Sequence, residues 1–175
     1  GRKHIATKDL APFSSKAPGI ESYRDLGYCT GSLRNEATEF TDKDGSKITR
    51  YVNVRHYDLV AENSKGFFQF NIKNCPTLNH PDVNDKKRAI NGPPLFFQNG
   101  EVAEIFVTNK STEATSVHWH GLELPNGVDG VPGVTQKAIA PNTSFNYRFQ
   151  LKQDGTYWYH PHTLQEQEAR GAFIV

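Results

Sequence analysis

Methionine is absent from this 175-residue sequence, and cysteine occurs only twice, at Cys29 and Cys75. The absence of methionine removes the thioether as a metal ligand. The two cysteines are far apart and form no CxxC pair, which excludes a zinc knuckle. They form either a disulfide or two free thiols, and two cysteines alone do not decide between these states.

Long apolar runs and an excess of one charge are also missing. No run of roughly 18 or more apolar residues exists, so we predict no membrane span. The first twenty residues (GRKHIATKDLAPFSSKAPGI) lack the apolar core of a signal peptide. We therefore expect a soluble chain from which any export signal has been removed. The 20 basic and 19 acidic residues leave a net charge of +1, and the basic residues are scattered. This distribution argues against nucleic acid as a partner.

The chain is long enough for one domain with a single hydrophobic core and an extra arm. Residues 1–45 contain proline, glycine, serine and threonine without sustained apolar periodicity, so we predict an irregular N-terminal arm there. From residue 46 to residue 175, short aromatic and β-branched runs alternate with turn residues. We predict strands at Lys47–Leu59, Gly66–Ile72, Glu101–Asn109, Ser116–His120, Ser144–Leu151, Gly155–His160 and Gly171–Val175. The pattern is typical of an all-β sandwich or small barrel.

Two histidine pairs stand out, in SVHWHG at residues 116–121 and in TYWYHPH at residues 156–162. Side chains alternate between the faces of a strand, so His118 and His120 share one face while Trp119 points to the other. Imidazole is a preferred ligand of copper, zinc, iron and nickel. The ring nitrogens of two histidines on one strand face are too far apart to bind a single ion easily. Their spacing suits the binding of two neighbouring ions. Two such pairs would suit a metal cluster if their strands were adjacent.

The second pair follows the same rule, because parity places Trp158, His160 and His162 on one face. Pro161 cannot donate to a strand ladder, so the strand ends there or lies at a sheet edge. We interpret Trp119 and Trp158 as packing residues.

A longer stretch carries a family resemblance. Residues 116–175 closely resemble the first cupredoxin domain of multicopper oxidases, and residues 89–109 do so moderately. The segments GVDGVPG and QEQ are most like the bacterial copper-resistance and laccase-type oxidases. The resemblance implies a cupredoxin-like Greek-key β-sandwich, with residues 46–175 as domain 1.

The resemblance also implies a ligand set for copper. His118 would bind a type 2 copper ion. His120 and His160 would bind one type 3 copper, and His162 would bind the other. Asp129 falls where the family keeps an acid that assists proton delivery during reduction of O2 to water. Each histidine is expected to donate a hydrogen bond from its second ring nitrogen to a backbone carbonyl or a carboxylate.

Other elements of such an oxidase have no counterpart in this sequence. In the family, the remaining cluster histidines come from a His-x-His and a His-Cys-His in the last domain, and that cysteine also binds the type 1 copper. Neither Cys29 nor Cys75 lies between histidines. We therefore expect an N-terminal part of a larger enzyme, inactive alone. Its expected partners are the remaining C-terminal cupredoxin domains, O2, and a phenolic or metal-ion substrate such as Cu(I).

Two alternatives remain at this stage. A single-domain blue-copper carrier would use Cys75 and His80 at Cys-x4-His spacing, with His56 as an upstream ligand and glutamine in place of methionine. A non-catalytic domain would use the four histidines only to store or deliver copper. Bacterial relatives are periplasmic or secreted, which would permit a disulfide between Cys29 and Cys75.

Overall fold

The computed structural model describes residues 19–64, 66–73, 75, 92–162 and 169–175. Within these ranges the chain forms one short helix, α1, and strands β1 to β9. Their bounds are Ile20–Asp25 for α1, then Ser32–Thr41, Lys47–Ser64, Phe67–Ile72, Leu95–Phe96, Val102–Asn109, Val117–His120, Ser144–Gln150, Thr156–Pro161 and Gly171–Ile174. All seven predicted strands are confirmed, although β2 runs on to Ser64 instead of ending at Leu59. No helix among the described residues has the length and apolar character needed to cross a membrane.

The strands form two sheets. The larger has the order β1-β2-β5-β7, with β3 also paired to β2, and the smaller has the order β4-β9-β8-β6. The pairs β2–β5 and β4–β9 are parallel, and the other pairs are antiparallel. β1 pairs with the first part of β2 and β3 with its last part, so both lie along the same edge of β2. The predicted all-β sandwich is confirmed.

The core lies between the sheets and is strongly aromatic. Trp119 of β6 is fully buried, with its ring centre 5.2 Å from that of Tyr147 in β7 and 5.7 Å from that of Phe173 in β9. Tyr159 of β8 is fully buried as well. Because strand side chains alternate, burial of Trp119 and Tyr159 directs the residues on either side of them to the opposite face. The core thereby determines where the histidines point.

The predicted irregular arm over residues 1–45 is wrong for much of the described segment, because α1 and β1 form there. β1 pairs with β2 through a turn at Asp44-Gly45. β1 shows no apolar alternation in the sequence, because the face that it shares with Glu104 includes charged side chains and lies away from the core. Arg34 donates two hydrogen bonds of 2.9 Å to Glu104 of β5. Residues 1–18 lie outside the described residues.

Cys29 and Cys75 form a disulfide, with their Cα atoms 5.8 Å apart. The bond joins the segment between α1 and β1 to the chain just after β3. Cys29 itself is buried in the core. The choice between a disulfide and free thiols, which the sequence leaves open, is therefore settled in favour of the disulfide.

An ion pair is buried beside the core. Arg55 of β2 donates to both carboxylate oxygens of Glu101, at 2.8 Å and 2.7 Å, and also to the carbonyl of Thr30 at 2.8 Å. Glu101 in turn accepts a hydrogen bond from the backbone N–H of Gln98. The side chains of Arg55 and Glu101 are only 1% and 4% exposed, so each depends on the other for the stabilisation of its charge.

We predict that Glu101→Leu lowers the free energy of unfolding by about 3–5 kcal/mol, because it leaves the Arg55 guanidinium buried without a counter-charge. Urea denaturation measures this change. The matched control is Glu39→Leu, which removes a pair with Lys47 whose side chains are 58% and 67% exposed. The control is expected to cost less than about 1 kcal/mol. Equal losses in the two variants would contradict the prediction.

Candidate metal centre

Three histidines converge on the outer face of the β6–β8 pair. The antiparallel register places His118 directly opposite His160 and His120 directly opposite Trp158. One ring nitrogen from each of His118, His120 and His160 lies within 4.8 Å of the other two. The two histidine pairs predicted to share a face are thus on neighbouring strands, with three of their four rings grouped together.

Backbone carbonyls fix two of these rings. The Nδ1 atom of His118 lies 2.7 Å from the carbonyl oxygen of Asp129, and that of His160 lies 2.9 Å from the carbonyl of Pro161. A carbonyl can only accept a hydrogen bond, so Nδ1 carries the proton in each neutral ring. Nε2 is then left with its lone pair for a metal. The expected partners of the second ring nitrogens are confirmed for these two histidines.

The electrostatics of the site favour the neutral form of His160. Burial lowers the pKa of His160, and the neighbouring imidazoles of His118, His120 and His162 lower it further, against the opposing effect of the Pro161 carbonyl. The neutral form is the one that binds a metal ion. Three imidazole donors with no carboxylate among them fit copper, whose preferred biological ligands include imidazole.

His162 lies at the edge of this group. Its ring centre is 5.8 Å from that of His118 and 6.3 Å from that of His160, and its side chain is exposed. The backbone N–H of His162 donates to the carbonyl of Ser116 at 3.2 Å, which holds the chain beside β6. The fourth predicted ligand is therefore next to the other three without joining their group, and its role as a ligand stays a prediction.

Asp129 reaches the cluster from a loop after β6. The loop contains a single turn of 3-10 helix at Asn126–Val128, and Asp129 follows it directly. Besides the contact through its carbonyl, Asp129 has carboxylate oxygen Oδ1 at 3.6 Å from Nδ1 of His118. Its side chain is 32% exposed, so it touches both solvent and the cluster. The structure places the predicted acid beside the histidines.

The loop is pressed tightly against β6 at Gly130. The hydroxyl of Ser116 donates to the carbonyl of Gly130 at 2.7 Å. Gly130 has φ of +77°, and a Cβ atom added there would lie 1.8 Å from the carbonyl oxygen of Val117. Only glycine fits this approach, and the approach holds the neighbouring Asp129 carbonyl on His118.

The interpretation of both tryptophans as core packing residues holds for Trp119 but not for Trp158. Trp119 is fully buried in the core, whereas Trp158 is partly exposed on the histidine face. The centre of its ring lies 4.3 Å from that of His120 and 4.6 Å from that of His160. Strand parity already placed Trp158 on the face of His160, which is the signal that identifies it as part of the site.

We predict that Gly130→Ala weakens copper binding by about tenfold or more, because it moves the Asp129 carbonyl away from Nδ1 of His118 and frees that ring. Calorimetric titration of the purified chain with Cu(II) measures the affinity. Gly127→Ala is the matched control, since an added Cβ atom there meets nothing within 4 Å. An unchanged affinity in a folded Gly130→Ala chain would refute the link between this loop and the cluster.

Comparison with known proteins gives a consistent result. A family model for multicopper oxidases matches residues 79–175. A copper resistance protein A homolog from Pseudomonas syringae pv. tomato is 48% identical over 112 residues, which are 63% of this chain and 18% of that protein. Laccase-1 from Emericella nidulans is 47% identical over 73 residues, which are 41% of this chain and 12% of the laccase. The chain thus spans less than a fifth of the length of these curated relatives.

Solved structures agree with the sequence matches. The crystal structure of a multicopper oxidase from Pseudomonas thermotolerans aligns with a TM-score of 0.54 and 26% identity, covering 71% of this chain and 30% of that one. The cupredoxin-like fold expected from the sequence is confirmed by this likeness. More than half of the chain matches the family model, and the chain accordingly belongs to the multicopper oxidase family.

Proposed function

We propose that this chain is the N-terminal part of an oxidase that couples oxidation of a reducing substrate to four-electron reduction of O2 to water. In this proposal, residues 46–175 are the first cupredoxin domain, and they supply half of the histidine ligands of a trinuclear copper cluster. The observation that carries the proposal is the cross-strand grouping of His118, His120 and His160, with ring nitrogens within 4.8 Å of one another. Membership of the multicopper oxidase family identifies copper as the metal.

The proposed ligands are His118 for a type 2 copper, His120 and His160 for one type 3 copper, and His162 for the other. When bound, clustered copper ions supply electrons together, which suits a reaction that must deliver four of them to O2. The chain's own contribution is to hold Nε2 of His118 and His160 free by tethering Nδ1 of each ring to a carbonyl. The remaining ligands and the type 1 copper are proposed to come from further cupredoxin domains, as one polypeptide or as a companion chain.

Asp129 is proposed to hold a proton beside the cluster. Its carboxylate is partly open to solvent and lies within 3.6 Å of His118, so it can take a proton from water and keep it at Oδ1 next to the reacting centre. Four protons are consumed for each O2 reduced to water, so a group with access to both solvent and cluster meets a clear chemical need.

Substrate and compartment rest on different observations. The relatives include proteins named as a copper resistance protein and as a laccase, which is why we propose a metal ion such as Cu(I) or a phenol as the reductant. The disulfide between Cys29 and Cys75 supports a periplasmic or secreted location, because such bonds persist in oxidising compartments.

The blue-copper alternative has little support among the described residues. Cys75 is bonded to Cys29 and offers no thiolate. Both ring nitrogens of His56 face carboxylates, with Nδ1 2.9 Å from Glu104 and Nε2 3.0 Å from Asp58. The suggested partner His80 lies outside the described residues. A non-catalytic copper-binding domain remains distinguishable only by experiment.

We predict that the 175-residue chain binds copper but gives no sustained O2 uptake with a phenol or Cu(I), because its two cysteines are bonded to each other and neither can serve as a type 1 copper ligand. Metal analysis and an oxygen electrode measure both properties. Addition of a companion carrying the His-Cys-His domain, or use of the complete gene product, is expected to restore uptake and to raise the bound copper to about three or more ions per chain. Sustained uptake by the chain alone would contradict the proposal. Copper binding without uptake in the complete protein would instead favour storage or delivery.

In the complete protein, we predict that Asp129→Asn lowers the rate of O2 reduction by about a hundredfold, in the range typical of general acid catalysis. Copper content should stay unchanged, because His118 is held by the backbone carbonyl of residue 129 and not by its carboxylate. Metal analysis alongside single-turnover reoxidation of the reduced enzyme separates the two effects. Asp154→Asn, at an exposed turn residue, is the control. Full activity in Asp129→Asn would refute the proton-holding role.

A further inference from the structure

The three grouped histidines are not supported in the same way. The His118 and His160 rings each donate to a backbone carbonyl. Among the described residues, no side chain or carbonyl forms a hydrogen bond with the His120 ring. What His120 has instead is Trp158, directly opposite it across β6 and β8, with nearly parallel rings inclined by 23° and centres 4.3 Å apart.

Trp158 supports more than one ring. Its centre is also 4.6 Å from that of His160, at an inclination of 30°. The centres of His120 and His160 are 5.8 Å apart. If the His120 and His160 rings lay on opposite faces of the indole, their centres would be separated by nearly the sum of their distances to the indole centre. That sum is much larger than the observed 5.8 Å. Both imidazoles therefore lie on the same side of the indole, which forms a common platform under two of the proposed ligands.

The core does not hold this indole. Trp158 is partly exposed, and its neighbour across the β8–β9 pair is Ala172, whose methyl group is too small to enclose an indole. A cationic group also contacts the Trp158 ring. The guanidinium carbon of Arg170, just before β9, lies over the Trp158 ring at 4.9 Å from its centre. Such cation–π contacts stabilise an aromatic ring in a fixed orientation.

We propose that Trp158 is a positioning residue for the metal centre, which fixes the plane of the His120 imidazole as the carbonyls fix those of His118 and His160. This inference rests on the proposed function, in which these histidines bind copper. A histidine side chain has two rotatable bonds, and a ring that samples several orientations must lose that freedom when it binds a metal. A flat indole against one face restricts the ring in advance, which favours binding.

The charge on a bound metal strengthens the same contact. An imidazole that donates its lone pair to a cation becomes electron-poor, and tryptophan has the most favourable aromatic face for a positively charged partner. The indole should therefore stabilise the metal-bound His120 more than the free one. Replacement of Trp158 by an aromatic residue of lower electron density should keep most of the restriction on the His120 ring. Replacement by an aliphatic residue should lose both this restriction and the added stabilisation of metal-bound His120.

The test is a comparison of the intact chain with Trp158→Phe and Trp158→Leu, titrated with Cu(II) by calorimetry and examined by electron paramagnetic resonance. We expect Trp158→Leu to bind Cu(II) about tenfold more weakly and with altered copper hyperfine splitting, and Trp158→Phe to stay within about threefold of the unsubstituted chain with its spectrum retained. The control is Phe106→Leu, an exposed aromatic residue on the other sheet. Unchanged affinity and an unchanged spectrum in a folded Trp158→Leu chain would overturn the proposal.

A second measurement needs neither copper nor a substituted chain. In the metal-free protein, the carbon-bound ring protons of His120 should be shifted upfield by the Trp158 ring current in proton–carbon NMR spectra, relative to those of the exposed His162. Absence of that shift would overturn the proposal even if Trp158→Leu failed to fold. Failure of the proposed function gives a different result: Cu(II) would bind equally to the unsubstituted chain and to His118→Ala, while the ring-current shift of His120 remained.

Discussion

His118 faces His160 and His120 faces Trp158 because β6 and β8 pair in a register that buries Trp119 and Tyr159 on the other side. A slip of one residue would move the histidines into the core and the aromatic rings into solvent. Burial of each large aromatic side chain stabilises the fold by about 1.5–3 kcal/mol, so the core strongly opposes such a slip. The geometry of the histidine cluster therefore depends on hydrophobic packing on the reverse face of the same strands.

This dependence explains what the sequence can and cannot predict. Strand parity alone places His118 and His120 together, because it requires only local alternation. The partner of His120 across the sheet depends on the register between β6 and β8, whose residues are separated by β7 and two loops, and no local pattern encodes it. The shared face of His118 and His120 is therefore predictable from local alternation, whereas the position of His160 opposite His118 and the stacking of Trp158 on His120 depend on the register.

The strand missed at β1 has a different cause. Alternating apolar residues are the sequence signal of a strand, but β1, which pairs with β2 through its backbone, contacts the rest of its sheet largely through charged side chains. Glu104 accepts hydrogen bonds from both Arg34 of β1 and Arg148 of β7, and His56 contacts it as well. The hydrogen bonds from Arg34, followed by those from the other partners, lower the pKa of Glu104 to about 2 against the opposing effect of burial. Such a network needs residues from four strands, and no local sequence pattern indicates it.

The support around each imidazole bears on how the proposed oxidase would assemble. All grouped donors come from one sheet, and the side chains of His120 and His162 are exposed, so a metal ion here would be held from one side only. On the proposed function, ligands from a further domain would complete the coordination, and copper would stabilise the contact between domains. Linkage then requires that the contact strengthen copper binding by the same factor. Rings already fixed by carbonyls and by an indole lose little freedom when the second set of ligands arrives, so rigidity built into this domain would increase the affinity of the whole assembly for copper.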